Sequence, residues 1–234
     1  MELWNKYFNG KELPIVFFYT DGDGGAEGKK ASSGHRCVLS SLVKVRNGKA
    51  IYFEKDWIGC HGGRRYLGFS QEIMPKFEYF LSYGIPGELE GERYKKSPEL
   101  VKELMSRMPH FQAPKRRIVF KRWDDLKEED EPSVVIFFAQ PDVLSGLFTL
   151  ANYDEVDQHA VVAPFVAGCA TIVQYPYLES LSPNPRCIIC MFDVSARPYV
   201  PRETLSFAVP IKKFEKNGPK HGGKLPHNFL LGKD

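Results

Sequence analysis

Two short, continuous apolar runs constrain the fold of this chain more than any other feature of its sequence. Residues 13–19 read LPIVFFY and residues 134–139 read VVIFFA, and both are rich in β-branched and aromatic residues. Runs of this length, without polar alternation, are typical of β-strands that are buried on both faces. The sequence therefore predicts an α/β (mixed α+β) protein in which helices cover a β-sheet.

Further strands and helices are predicted around these two runs. Strands are expected at residues 49–54, 117–123 and 204–211, and helices at 35–45, 72–81, 98–108 and 141–150. Ser97, Pro98 and Glu99 form a helix start signal, with the serine as N-cap and the proline in the first turn. We expect one domain over residues 1–234, with a mixed β-sheet and flanking helices.

Charge and composition limit the classes of partner. The 234 residues include 32 basic and 29 acidic side chains, a net charge of +3, which does not indicate a nucleic-acid-binding surface. The first ten residues lack the pattern of a signal peptide, and no apolar run approaches the ~20 residues that span a bilayer. We therefore expect a cytoplasmic protein with no nucleic-acid or membrane partner, whose five cysteines are reduced thiols.

The two halves of the chain resemble each other. The run at 15–18 (IVFF) is matched by 135–138 (VIFF). Each run is followed by a polar loop, a helix (40–45; 145–151), a strand (50–53; 161–165) and a Gly-Cys pair (59–60; 168–169). These half-repeats, residues 13–82 and 132–200, predict an internal duplication in which Cys60 and Cys169 are equivalent and face one central cleft. Chance similarity of two α/β segments is the alternative.

Three cysteines are candidate functional residues, because Cys37, Cys60 and Cys169 each lie at a predicted turn beside small or basic residues. A basic neighbourhood or a helix N-terminus lowers the pKa of a thiol and favours the thiolate, which ligates metals and attacks substrates. Three such thiolates suit an iron–sulfur cluster or a single metal ion. None of the closely spaced ferredoxin or zinc patterns is present, so inert buried thiols are the alternative.

The remaining two cysteines, Cys187 and Cys190, have C-x-x-C spacing but lie in an apolar run that predicts a strand. Side chains three residues apart on a strand point to opposite faces, so this pair cannot chelate a metal. We interpret both as small core residues.

Two further segments carry candidate ligand-binding residues. The predicted loop at residues 62–65 (GGRR) offers backbone N–H groups and guanidiniums, which suit a phosphate or a carboxylate. Asp193 and Arg197 follow a buried strand, where open α/β sheets place ligands. The structural alternatives are a tight glycine turn and an Asp–Arg pair that locks the turn at Pro198. The complete set of candidates is Arg36, His61, Gly62, Gly63, Arg64, Arg65, Tyr175, Tyr177, Asp193 and Arg197.

The same residues carry a resemblance to a known family. The chain resembles an uncharacterised archaeal and bacterial family, domain of unknown function 169, also labelled ArCR. The matching segments, within residues 14–209, are 36–37, 59–63, 67–68, 97–100, 163–165, 168–169, 174–177 and 191–197. The family has no established activity to carry over. The resemblance is to a group common in anaerobes, which favours an iron–sulfur centre, and Cys187 and Cys190 lie outside the family pattern.

These observations lead to three hypotheses about function. The first is a small-ligand or cofactor-binding protein whose cleft is lined by Cys37, Cys60 and Cys169, with a metal or iron–sulfur centre and with arginines that attract an anionic group. The second is an enzyme that uses Cys60 or Cys169 as a nucleophile on an anionic small substrate. The third is a structural or partner-binding module without a ligand. The sequence decides neither between these classes nor the oligomeric state.

Overall fold

The described part of the chain, residues 12–28 and 37–217 of a computed structural model, contains a large mixed β-sheet and a small hairpin. Its strands are β1 (Ile15–Thr20), β2 (Glu27–Gly28), β3 (Ile51–Glu54), β4 (Gly84–Ile85), β5 (Leu89–Glu90), β6 (Arg117–Arg122), β7 (Val134–Ala139), β8 (Val161–Val162), β9 (Cys187–Cys190) and β10 (Leu205–Pro210). Its helices are α1 (Val38–Arg46), α2 (His61–Tyr66), α3 (Phe77–Phe80), α4 (Pro98–Arg107), α5 (Pro141–Asn152), α6 (Tyr175–Ser180) and α7 (Ile211–Asn217). The prediction of a mixed α+β domain is confirmed.

The two apolar runs form the centre of the large sheet. Strands β1 and β7 pair antiparallel, with Ile15 opposite Ile136 and Val16 opposite Val135. Every residue of β7 is buried, as are the first four residues of β1. The expectation that both runs are strands buried on two faces is confirmed.

Two hydrophobic clusters cover the two faces of this sheet. Ile15 and Phe17 belong to the first cluster, together with residues of α1 and of the segment that ends in α6. Val16, between them, points to the opposite face and joins the second cluster, which is covered by α5 and α7. Among residues 12–28 and 37–217, no helix is long and apolar enough to cross a membrane.

The strand order of the large sheet is symmetric about its centre. The order is β2-β3-β6-β1-β7-β10-β9-β8. The first half of the chain supplies β1, β2, β3 and β6, and the second half supplies β7, β8, β9 and β10. Each half places its first strand at the centre of the sheet, then its fourth and third strands, and its second strand at the edge. In each half the edge strand pairs parallel with its neighbour, and the other pairs are antiparallel. This order is the one that two related halves would produce, and the duplication itself stays a prediction.

The correspondence between the halves differs from the one predicted. Helix α1 connects the second and third strands of the first half, and residues 169–180 make the same connection in the second half. Cys37 therefore corresponds to Cys169, whereas Cys60 follows the third strand, and the predicted equivalence of Cys60 and Cys169 is wrong. The two helices that the sequence pairs, α1 and α5, occupy different places in the topology: α1 lies between the second and third strands of its half, and α5 lies between the first and second strands of its half.

The halves differ most in the connection between their third and fourth strands. This connection covers residues 55–116 in the first half and residues 191–204 in the second. The longer one contains a segment, residues 72–108, that we call the cap, and it holds α3, α4 and the β4–β5 hairpin. Helix α4 begins as predicted, because the Ser97 Oγ accepts a hydrogen bond from the Leu100 N–H. The helix predicted at 72–81 is shortened to α3, which begins after Lys76 in a left-handed conformation.

Candidate functional site

A cavity of about 510 Å³ lies between the cap and the rest of the domain. The cap contributes one wall, which is formed by Met74, Phe77, Phe80, Leu104, Met105 and Met108. The facing wall comes from α1, α2 and the loops around residues 165–169 and 193–196, and it is also largely apolar. Cavities that bind small molecules commonly have a volume of ~300–1,000 Å³, apolar walls and a few polar groups.

The three candidate cysteines, Cys37, Cys60 and Cys169, all line this cavity. Cys37 is the N-cap residue of α1, and Cys60 is the N-cap residue of α2, where its Sγ accepts a hydrogen bond of 3.3 Å from the Gly63 N–H. Cys169 directly precedes the π-helical turn at Ala170–Gln174. The structure thus brings together three thiols that are far apart in the sequence.

Two of these thiols are in an environment that disfavours the thiolate. Burial raises the pKa of Cys37, and it raises the pKa of Cys169 well above the ordinary value. Coulombic repulsion from Cys60 and from the Asp193 carboxylate adds to the effect at both cysteines, and Cys37 adds to it at Cys169. The expectation that a basic neighbourhood makes these residues thiolates is therefore wrong for Cys37 and Cys169, because desolvation dominates.

A site for a single metal ion is not found among the described residues. Within residues 12–28 and 37–217, no group of three or more His, Cys, Asp and Glu side chains is arranged so that it could hold a metal ion. The three thiols share the wall of one cavity without forming such a group. The iron–sulfur cluster stays a prediction.

The segment GGRR forms part of helix α2 and is not the loop that we predicted. Two of its N–H groups are engaged locally, since the Gly63 N–H binds Cys60 Sγ and the Arg64 N–H binds the Cys60 carbonyl. A Cβ atom on Gly63 would lie 2.8 Å from Val38 Cγ2, so this glycine permits α2 to pack closely against α1. The N–H groups of Gly63 and Arg64 thus do not form the predicted anion-binding loop.

Some residues of α2 line the cavity and others do not. His61, Gly62 and Arg65 line the cavity, and Arg65 also donates a hydrogen bond of 2.7 Å to the Gln71 carbonyl. Gly63 and Arg64 are not among the residues that line it. Of the four candidate arginines, Arg65 is the one that the described structure places on the cavity wall, and Arg36 lies outside the described residues.

Asp193 is a buried carboxylate on the cavity wall. Its Oδ1 accepts hydrogen bonds from the Tyr94 hydroxyl at 2.7 Å, the Ser195 N–H at 3.0 Å and the Ser195 hydroxyl at 2.7 Å. Its Oδ2 accepts one from the Gly168 N–H at 2.7 Å. The carboxylate therefore joins the cap, the loop before Cys169 and its own turn at the edge of the cavity.

Arg197, Tyr175 and Tyr177 are not among the residues that line the cavity. The Arg197 guanidinium donates hydrogen bonds to backbone carbonyls, including those of Thr204 at 2.5 Å and Pro201 at 3.1 Å, so it secures the turn before β10. The expected Asp193–Arg197 pair is replaced by these separate sets of partners. Tyr177 packs against core aromatic rings, and Tyr175 packs against the same core cluster.

Cys187 and Cys190 are buried free thiols on opposite faces of β9. Cys187 belongs to the second hydrophobic cluster, whereas Cys190 interacts with Thr171 on the other face. The interpretation of both as core residues is confirmed.

Several residues of the cavity carry no local signal in the sequence. Met74, Met105 and Met108 read as ordinary core or surface positions, and Tyr94 lies in a polar loop. These residues come together because the cap folds back over the domain, and neither periodicity nor a motif in the sequence predicts that arrangement.

Fold and cavity together define a mixed α+β protein with a mostly apolar cavity, open to solvent, that three thiols and one buried carboxylate line. A family model described as uncharacterised ArCR, domain of unknown function 169, matches residues 7–217, and the chain belongs to this family. The chain matches no curated protein and no solved structure.

Proposed function

We propose that this protein binds an organic small molecule, with a mostly apolar body, in the cavity beneath the cap. The observation that carries the proposal is the cavity itself, with its volume of about 510 Å³ and its two facing apolar walls. Transfer of an apolar ligand from water to such walls is favourable in proportion to the apolar area buried. A cytoplasmic location, where thiols stay reduced, fits this proposal.

The cap wall suits a ligand of irregular shape. Met74, Met105 and Met108 are unbranched and polarizable, and methionines adapt to the outline of a bound molecule and contact aromatic rings favourably. Phe77 and Phe80 add aromatic surface to the same wall. The cap is therefore the part of the protein that would select the apolar body of the ligand.

The cavity also has two cations on its walls, Arg65 and Lys95, both half-buried. The Lys95 ammonium lies 4.9 Å from the centre of the Phe165 ring, and this ring is 52% exposed. An anionic group of the ligand would bind at this outer part of the cavity. Among the described residues, the expectation of an anionic ligand thus depends on Arg65 and Lys95, and no longer on Arg64 and Arg197.

Titration with Nile red, a neutral apolar dye whose emission changes in an apolar environment, tests the proposal. Met105→Trp fills the cavity from the cap, so it should weaken dye binding by about tenfold or more. Leu100→Trp on the same helix is the matched control, because Leu100 is 45% exposed and is not among the residues that line the cavity. Absence of saturable dye binding, or equal weakening by both variants, would contradict the proposal.

An enzyme with Cys60 as nucleophile is the second candidate function. One observation favours it: Cys60 is half-buried on the cavity wall at the N-cap of α2, where its Sγ accepts a hydrogen bond from the Gly63 N–H. Limiting iodoacetamide should then modify Cys60 first, and a bound cavity ligand should protect it. Equal labelling of all accessible thiols, with no protection by ligand, counts against this candidate.

A further inference from the structure

Asp193 differs from the other charged residues of the cavity because it is 7% exposed and has no cationic partner in the described structure. The acidic side chains at Glu72 and Glu92, also on the cavity wall, are exposed to solvent. Every hydrogen bond that the Asp193 carboxylate accepts in the described structure comes from a neutral donor, namely Tyr94, Gly168 or Ser195. A buried carboxylate is costly unless hydrogen bonds or an opposite charge compensate it.

The two oxygens of this carboxylate are unequally used. Oδ1 accepts three hydrogen bonds, whereas Oδ2 accepts one, from the Gly168 N–H. A carboxylate has about four lone-pair sites over its two oxygens, so Oδ2 retains the capacity for another donor. The thiols of Cys37 and Cys169 stay protonated beside it, because burial raises both pKa values.

We propose that Asp193 Oδ2 receives a hydrogen bond from the inner end of the ligand, and that this end is an ammonium, an N–H or a hydroxyl group. This inference rests on the proposed function and adds the chemical class of the buried end. A ligand carboxylate or phosphate at this end would face Asp193 across an apolar cavity, where like charges repel strongly. An anionic group, where the ligand has one, would bind beside Arg65 or Lys95, the two cations on the cavity wall.

Three probes of equal apolar body and different polar group test this inference. They are 2-naphthylmethylamine, 2-naphthylmethanol and 2-naphthoate, each used to displace Nile red from the wild-type protein. The amine should bind tightest and should exceed naphthoate by about tenfold or more, the ratio expected for one charge-assisted hydrogen bond. Equal affinities, or a preference for naphthoate, would overturn the inference.

The variant Asp193→Asn tests whether the Asp193 carboxylate causes the preference for the amine. It should lower the affinity of the amine by about tenfold and leave that of naphthoate unchanged or higher. Glu92→Gln is the matched control, since it removes a carboxylate that is also on the cavity wall but is exposed to solvent, and it should preserve the preference for the amine. If Glu92→Gln abolishes the preference as Asp193→Asn does, the preference reflects the overall charge of the cavity wall and the inference fails.

The two proposals fail in different ways. If Nile red does not bind, the cavity is not a ligand site and both are wrong. If Nile red binds and Met105→Trp weakens it, but the three probes displace it equally, the proposed function stands and the role of Asp193 is wrong. If Asp193→Asn does not fold, the relative affinities of the three probes for the wild-type protein decide whether the inference about Asp193 holds.

Discussion

The Tyr94 hydroxyl in the cap donates a hydrogen bond of 2.7 Å to Oδ1 of Asp193, although 99 residues separate them in the sequence. This bond joins the cap to the turn after β9 at the edge of the cavity. Burial and the bond to Asp193 raise the pKa of Tyr94, so the phenol remains a donor over the neutral pH range. The cap is thus held by a specific polar contact as well as by apolar packing.

Loss of this contact should loosen the cap. Tyr94→Phe removes a hydrogen bond to a buried carboxylate, and we expect the free energy of unfolding to fall by about 1–3 kcal/mol. In this variant the amides of the cap should exchange with deuterium faster than in the wild-type protein, whereas the exchange of the β1 and β7 amides should stay the same. Tyr83→Phe is the control, because Tyr83 lies in the same cap and is 59% exposed, and it should change neither quantity. Equal effects of the two variants would show that the bond does not hold the cap.

Gly168 should not tolerate a side chain. A Cβ atom there would lie 2.6 Å from Leu39 Cδ1 and 2.9 Å from Ala196 Cβ, both of which line the cavity. Gly168→Ala should therefore lower the free energy of unfolding by about 1–3 kcal/mol, as overpacking of a core does. Gly22→Ala, whose Cβ would meet its nearest atom, Thr20 Oγ1, at 3.6 Å, should change it by less than about 0.5 kcal/mol. Urea denaturation measures both, and a neutral Gly168→Ala would contradict the close packing at this turn.

The cavity thiols should differ in their reaction with iodoacetamide. A raised pKa means that the thiolate forms only at higher pH, so at about pH 8 Cys169 should react at least about tenfold more slowly than Cys60. Its rate should continue to rise with pH after that of a free thiol has levelled off. Mass spectrometry of the digested protein gives each rate, and the unfolded protein is the control, in which the rates converge. A fast Cys169 in the native protein would refute its burial.

Much of the fold could be predicted from local sequence. Length and composition of the two apolar runs suffice to predict β1 and β7 as buried strands, and Ser97 predicts the start of α4 because its side chain can cap the helix. The two glycines of GGRR lower helix propensity and so predict a loop, whereas packing of Gly63 against Val38 favours the helix. Propensity is a local quantity, and tertiary contact overrode it.

The candidate site could be predicted in part. The common location of Cys37, Cys60 and Cys169 was anticipated from their positions at turns, and the structure places all three on one cavity wall. The raised pKa values of Cys37 and Cys169 could not be predicted, because desolvation depends on how deeply the fold buries each thiol. The partners of Asp193 lie up to 99 residues away, and a single sequence contains no information about that pairing.

The central claim, that a ligand binds between the cap and the cavity thiols, is tested most directly by NMR of the methionine methyl groups. The chain has five methionines, and three of them, Met74, Met105 and Met108, line the cavity, whereas Met191 is buried in the core and is not among the lining residues. With carbon-13 methyl labels and titration of 2-naphthylmethanol, the three cavity signals should shift together and saturate, and the Met191 signal should shift least. Unchanged cavity signals, or a shift confined to Met191, would contradict the account.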